Sequence, residues 1–246
     1  MFNTVQTDLA TGKSVNSALD DPLKYFASQS DLFQADSLSS LNSNMQQALQ
    51  TIQAASNGIT GITALVKQAL ALAQQGAASS KTGSALSKQF TGLLKQINQM
   101  AGDSGYGGVD LINSSKTKLT VTFNTSSNSS ITISGVDATA TGLAISGLSI
   151  TTTGGATAAE TALTTALTTL QTDAQTLSSG NAVIQARVDF STNMINTLQQ
   201  GSNNLVLADM NQQGAYMLSL QTQQALATNS LRIASQSSQS VLRLFQ

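Results

Sequence analysis

Histidine and cysteine are both missing from the 246 residues, tryptophan is missing too, and there is a single proline. Without cysteine there are no disulfides and no thiolate chemistry; without histidine there is no imidazole-ligated metal and no catalytic dyad or triad that uses imidazole as its base. Charge is scarce as well, at 9% of residues against an average of about 25%. The net charge is -1, no Lys/Arg cluster exists, and Glu160 is the only glutamate, so binding to a phosphate backbone has no electrostatic footprint. The longest apolar stretch, near Ile62 to Ala73, is broken by Lys67 and Gln68 and is not a membrane span. The N-terminus lacks the basic-then-apolar pattern of a cleavable signal peptide, so the chain either stays inside or leaves by another export route. Solubility rests on Gln, Asn, Ser and Thr. A weakly charged surface of that kind is poorly protected from self-association, because little repulsion keeps copies apart.

What is present is helical periodicity. Leu38, Leu41, Met45, Ala48, Ile52, Ala55, Ile59, Ile62, Val66, Ala69 and Ala73 follow one another at steps of three or four, which predicts a long helix over about 21–76 with one stripe buried against partner helices. A helix of roughly 50 residues would be about 75 Å long. Ahead of it, Phe2, Val5 and Leu9 read as the last turns of a helix that Gly12 ends. A chain seldom opens on the tail of a helix, and the expectation is that more N-terminal helix exists in the natural protein. Asp21 and Pro22 predict a helix entry, the carboxylate accepting from first-turn amides and the proline presetting φ. The alternative, a paired-carboxylate site at Asp20 and Asp21, lacks further ligands nearby.

Leu86, Phe90, Leu93, Ile97 and Met100 predict a second helix over about 83–102, antiparallel to the first. The glycine-rich run from Gly102 to Gly108 joins that helix to strands, which is not the strand-to-helix context of a phosphate cradle. Leu119, Val121 and Phe123, with Ile131 and Ile133, alternate at period two and predict a β-hairpin within a region of about 107–153, and the segment Gly135 to Gly155 is expected as short strands and turns. A third helix over about 157–207 is expected from Leu163, Leu167, Leu170, Ala174, Leu177, Asn181, Ile184, Val188, Ser191, Ile195, Leu198, Ser202 and Leu205. Arg187 and Asp189 sit off this seam as an ion pair, solvated or between subunits. Asp209 with Gln212 is a capping-box-like start for a last helix whose stripe is Met217, Leu220, Ala227, Leu231, Ala234, Val241 and Phe245, with Leu218, Leu226, Ile233, Leu242 and Leu244 on other faces. A helix apolar on more than one side must fold on a partner. The fold class is mainly α with a small β-hairpin region: a long antiparallel bundle plus a terminal coiled-coil helix.

The ends carry a resemblance. Asp8-Leu9-Ala10-Thr11-Gly12-Lys13-Ser14-Val15-Asn16-Ser17-Ala18-Leu19-Asp20-Asp21 resembles the L-S-S-G-x-R-I-N-S-A-x-D-D signature of bacterial flagellins. Asn229-Ser230-Leu231-Arg232-Ile233-Ala234-Ser235-Gln236 and Ser240-Val241-Leu242-Arg243-Leu244 resemble their I-A-N-Q-x-x-Q-x-V-L-x-L ending. The resemblance implies a remnant of the N-terminal D0 helix at 1–13, a D1-like domain at 14–207 and a C-terminal D0-like helix at 208–246. It implies a secreted subunit that self-assembles into the flagellar filament for motility, exported through the flagellar type III apparatus without a cleaved signal peptide. The alternative is a hook-filament junction protein. Implied partners are other flagellin subunits, junction and cap proteins and an export chaperone, with no nucleic acid, no membrane, no cofactor and no catalytic residue. Met217, Leu220, Leu231, Val241, Leu242 and Phe245 would form the assembly interface, with Arg187 and Asp189 touching neighbours. Where many flagellins show L-Q-R-V-R-E-L-A-V, the patch an innate immune receptor reads, the apparent equivalents here run Ala64 to Leu72. Val66 and Gln68 replace the arginines, Ala69 replaces the acid, and Leu70 follows, which implies weakened recognition.

Overall fold

The computed structural model describes residues 2–78, 84–124 and 129–244, with side chains described as far as Ser240. The elements are α1 (Phe2–Thr11), α2 (Pro22–Ala78), α3 (Ser84–Asp103), β1 (Lys118–Thr122), β2 (Ser130–Ser134), α4 (Thr153–Val206) and α5 (Met210–Leu244). They form two compact units, one of Ser37–Asn193 and one that joins Met1–Asp36 to Met194–Gln246.

The larger unit is a helical bundle with a hairpin. Every seam position expected on α2 is buried except Leu41, which is half-buried. Asn42 Nδ2 donates to Thr192 Oγ1 at 3.0 Å and Gln74 Nε2 to Glu160 Oε1 at 3.5 Å. The step from Asn42 to Gln74 along α2 is therefore matched residue for residue by the step from Thr192 back to Glu160, so the two helices run antiparallel with no drift. On α3, Phe90, Leu94, Ile97 and Ala101 are buried while Leu86, Leu93 and Met100 are half-buried, so the buried stripe leans one residue past the expected line. Small residues permit the close approach: a Cβ on Gly61 would collide with the Met100 sulfur, and one on Gly58 with Ser104 and Ile112.

Three expectations are corrected. On α4 the expected seam residue Asn181 is exposed and Gly180 is buried in its place, because Ile133 of β2 lies against the Gly180 backbone where a side chain would stand. Helix α4 begins at Thr153, ahead of the expected start near Thr157; Thr152 Oγ1 accepts from Gly155 N at 3.1 Å, and a capped first turn tolerates the two glycines that read as breakers. Between Gly135 and Thr152 there is no strand. Turns carry the segment instead, with Leu143 N donating to Thr139 O at 2.9 Å and Ile145 N to Ala140 O at 2.8 Å. Pairing is limited to one bridge, Asp137 with Asn113, where Val136 N donates to Leu111 O at 2.7 Å and Ala138 N to Ile112 O at 2.8 Å; beyond it hydroxyl and glycine residues satisfy the backbone locally. Ala138, Ala140, Leu143, Ile145 and Ile150 nonetheless enter the core, and Ala140 N donates to Asn98 Oδ1 at 2.8 Å, tying the turns to α3.

Strands β1 and β2 pair antiparallel, Leu119 opposite Ile133 and Val121 opposite Ile131, as the alternation predicts. The glycine run closes into a two-residue hairpin, with Tyr106 and Val109 exchanging both backbone bonds and Gly107 and Gly108 at φ 59° and 81°. Two successive positive φ values are what such a tight turn requires, and glycine supplies them without a Cβ clash. Along the exposed side of α4, Thr157, Thr161, Thr164, Thr165, Thr168, Thr169, Thr172 and Thr176 each donate their hydroxyl to the carbonyl one turn back.

Candidate assembly surface

The smaller unit is built on a strap. Helix α1 ends where Gly12, at φ 72°, donates its N–H to Asp8 O at 2.8 Å, the left-handed terminator expected of glycine. The chain then lies along the connection between α4 and α5. Ser14 N donates to Val206 O at 2.8 Å, Ser14 Oγ reaches Leu207 O at 3.2 Å, and Ala208 N returns a bond to Gly12 O at 3.0 Å. Val15 and Val206 are buried there, and Ser28 Oγ meets Ser202 Oγ at 2.7 Å in a buried pair between α2 and α4. Asn16 holds the strap at both ends: its Nδ2 donates to the buried Asp8 at 3.2 Å and its backbone N–H to Asp20 Oδ2 at 3.0 Å.

Asp20 also accepts from Ser17 N at 2.8 Å and Ser17 Oγ at 3.1 Å. The Ser17 N–H, then the Asn16 N–H, then the Ser17 hydroxyl hold its carboxyl below the ordinary carboxylate value of 3.8. A depressed folded pKa contributes stability above the unfolded value and loses it as pH falls through the folded one. An Asp20→Asn variant is therefore expected to be less stable than the original chain at neutral pH and to lose less on acidification, so that the two stability curves converge below about pH 4, read by circular dichroism against pH. An unchanged acid limb would mean that the strap does not depend on this charge.

Both predicted helix entries carry capping carboxylates. Asp21 Oδ1 accepts from Lys24 N at 3.1 Å, and Pro22 is the first helical residue. Asp209 Oδ1 accepts from Asn211 N at 2.9 Å and Gln212 N at 3.2 Å. The reciprocal half of the expected capping box does not form: Gln212 Nε2 donates to Tyr216 Oη at 3.3 Å, because the tyrosine one turn ahead is within easier reach.

Helix α1 packs on the beginning of α5, and the half-buried residues there are Gln213, Met217 and Leu220, one stripe at steps of four and three. Beyond it every residue from Gln221 to Ser240 is exposed, including Leu226 at 61%, Leu231 at 71% and Ile233 at 58%. Of the other residues expected at the interface, Val241 and Leu242 lie on the last turn of α5 where side chains are not described, and Phe245 lies outside the described residues. Within the chain Arg187 and Asp189 do not pair with each other. The Arg187 guanidinium sits 5.0 Å over the Phe123 ring, and Asp189 accepts from Gln185 Nε2 at 3.2 Å. Among the described residues the one ion pair is Lys24 with Asp21, at 3.6 Å.

Of the apparent equivalents of the receptor patch, Val66 and Ala69 are fully buried in the α2 seam, Leu65, Leu70 and Leu72 are half-buried, and Ala64, Lys67, Gln68 and Ala71 are exposed. The steps of three and four that place Val66 and Ala69 in the core are the reason that they offer a partner nothing to read. What the sequence reading passed over is a set of large exposed side chains beside the strap: Leu19, Leu23 and Phe26. Their spacing of four and three was the available signal, on a face other than the seam.

Fold and surface together define a helical bundle with a hairpin whose last helix leaves large apolar side chains exposed. Residues 1–117 match the family described as the bacterial flagellin N-terminal helical region. Across its whole length the chain is 31% identical to Flagellin FljK of Caulobacter vibrioides and 30% identical to Flagellin FljO of the same organism, spanning 91% of each. It is 40% identical to Flagellin C of Rhizobium meliloti over a segment covering 30% of this chain and 23% of that protein. The crystal structure of Bacillus cereus flagellin superposes with a TM-score of 0.54 at 18% identity, covering 60% of this chain and 88% of the other, a likeness of fold. The chain belongs to the bacterial flagellin family.

Proposed function

We propose that this chain is a structural subunit that polymerises with copies of itself and other flagellins into the extracellular flagellar filament. The observation that carries the reading is α5, a helix of 35 residues that is exposed on all sides from Gln221 to Ser240 while carrying leucine and isoleucine on several faces. Such a helix is marginal alone in water and gains its stability by burying those faces against others. The hook-filament junction reading is not favoured, since the relatives that match along the whole chain are flagellins. The family is structural, and no catalytic role is assigned to any residue. The division into a D0-like stretch at 1–13, a D1-like domain at 14–207 and a D0-like helix at 208–246 fits this reading. So does export through the type III apparatus, with a chaperone covering α5 before assembly and with junction and cap proteins meeting the filament ends. Among the described residues no helix is long and apolar enough to cross a membrane.

Electron microscopy of the purified chain at high concentration, seeded with sheared filaments, tests the reading. Elongated seeds are the expected result. Seeds that acquire only a terminal cap would return the junction reading, and seeds left bare would overturn both.

A further inference from the structure

Two exposed apolar stripes remain that neither the core nor α5 uses. The first runs through Leu19 (95% exposed), Leu23 (81%) and Phe26 (63%), from the turn ahead of α2 into its first turns, with Phe33 exposed a further heptad along. On α2, steps of three and seven keep Leu23, Phe26 and Phe33 on one face, distinct from the face that buries Ser28 and Ala35, and Leu19 lies in the turn just ahead of it. The second stripe lies on α4, where Val183 (41%), Arg187 and Phe190 (54%) precede the buried Ile184, Val188 and Ser191 by one position each. Single exposed hydrophobics need no explanation, but contiguous large ones on a monomer mark a contact surface.

We propose that in the filament the Leu19–Phe26 stripe of one copy packs against the Val183–Phe190 stripe of a neighbouring copy. The proposal rests on the reading of the chain as a filament subunit and names two surfaces through which copies meet. An open helical polymer cannot grow from one self-complementary patch; it needs a heterologous contact, two different patches that fit each other. These two differ, one at the entry to α2 and the other along α4. They also complement each other in charge. The first stripe is flanked by the exposed carboxylates of Asp20 and Asp36, its one lysine being engaged by Asp21, while the second holds Arg187 between its two apolar residues. Arg187 lies over Phe123 with its residue exposed, so the cation stays at the surface for a neighbour's carboxylate. A buried phenylalanine contributes about 150–250 Å². Two leucines and a phenylalanine then supply on the order of half of the roughly 800 Å² that each partner buries in a stable interface.

The lack of cysteine makes the test clean. Full-length F26C and F190C chains are grown together with unsubstituted chain on filament seeds and treated with a short bis-maleimide. Covalent dimers are expected from the mixed filaments, and neither from filaments holding F26C or F190C alone nor from the unassembled mixture. Mixed filaments without dimers would overturn the pairing and leave the subunit reading standing. Dimers from F26C filaments alone would also overturn it, replacing it with a contact between like stripes. Failure of the unsubstituted chain to elongate seeds would remove the subunit reading itself. A second variant, L23S/F26S, is expected to raise the critical concentration at least about tenfold with helicity unchanged; an unchanged critical concentration would overturn the proposal.

Discussion

Replacing Leu226, Leu231 and Ile233 together by serine is expected to leave the subunit folded at its original melting temperature and to abolish filament growth. All three are more than half exposed, so the subunit loses almost no buried surface, and the helix-propensity cost of serine is a few tenths of a kcal/mol each. In the polymer the balance reverses. Fully burying a leucine or isoleucine contributes about 1.5–3 kcal/mol, so the three together withdraw on the order of 5 kcal/mol per subunit contact. Each 1.4 kcal/mol is about tenfold in an association constant, which moves the critical concentration by roughly three orders of magnitude. Light scattering and electron microscopy read the growth, and circular dichroism reads the fold. Growth at an unchanged critical concentration would mean that these faces of α5 are not where the subunits meet.

Phe90→Ala is expected to do the converse, weakening the subunit before it can assemble. Phe90 is fully buried on α3 and belongs to the core shared with α2 and α4. Deleting a buried aromatic costs about 3–5 kcal/mol, part transfer and part cavity, and the antiparallel rods cannot collapse to fill the gap without losing the Asn42–Thr192 and Gln74–Glu160 register. A domain of this size loses about 2–4 °C per kcal/mol, so the melting temperature is expected to fall by roughly 10 °C. A fall of only a degree or two would place the stability of the larger unit elsewhere than in this core.

The rods were legible because a long helix repeats its signal many times. Leu38 to Ala73 gives ten steps of three or four, and errors in any one do not move the stripe. The hairpin was legible from period two at Leu119 and Ile131. Asn181 was misplaced because periodicity cannot foresee that Ile133, far away in sequence, needs a glycine on α4 to lie against. Of the short strands and turns expected from Gly135 to Gly155, the strands are absent because, apart from a single bridge at Asp137, the apolar residues there reach the core without pairing, a tertiary outcome with no local period. Among candidate surface residues, the caps Asp21 and Asp209 were readable from chemistry confined to one turn. The Arg187–Phe123 contact was not, since it joins a helix to a strand end, and the Leu19, Leu23 and Phe26 stripe was hidden by the stronger seam on the same helix.

The threonine ladder on α4 has a mechanical consequence. Each of the eight hydroxyls from Thr157 to Thr176 donates to a carbonyl one turn back that already serves the main chain. Doubling the load on an acceptor lengthens the backbone bond it shares, and repeated on one side of a rod this bends the axis. Residue type on this face thus biases the segment toward bending. Exchanging the threonines for valines, equal in shape but without the second donor, would yield a straighter and stiffer beam from which to build.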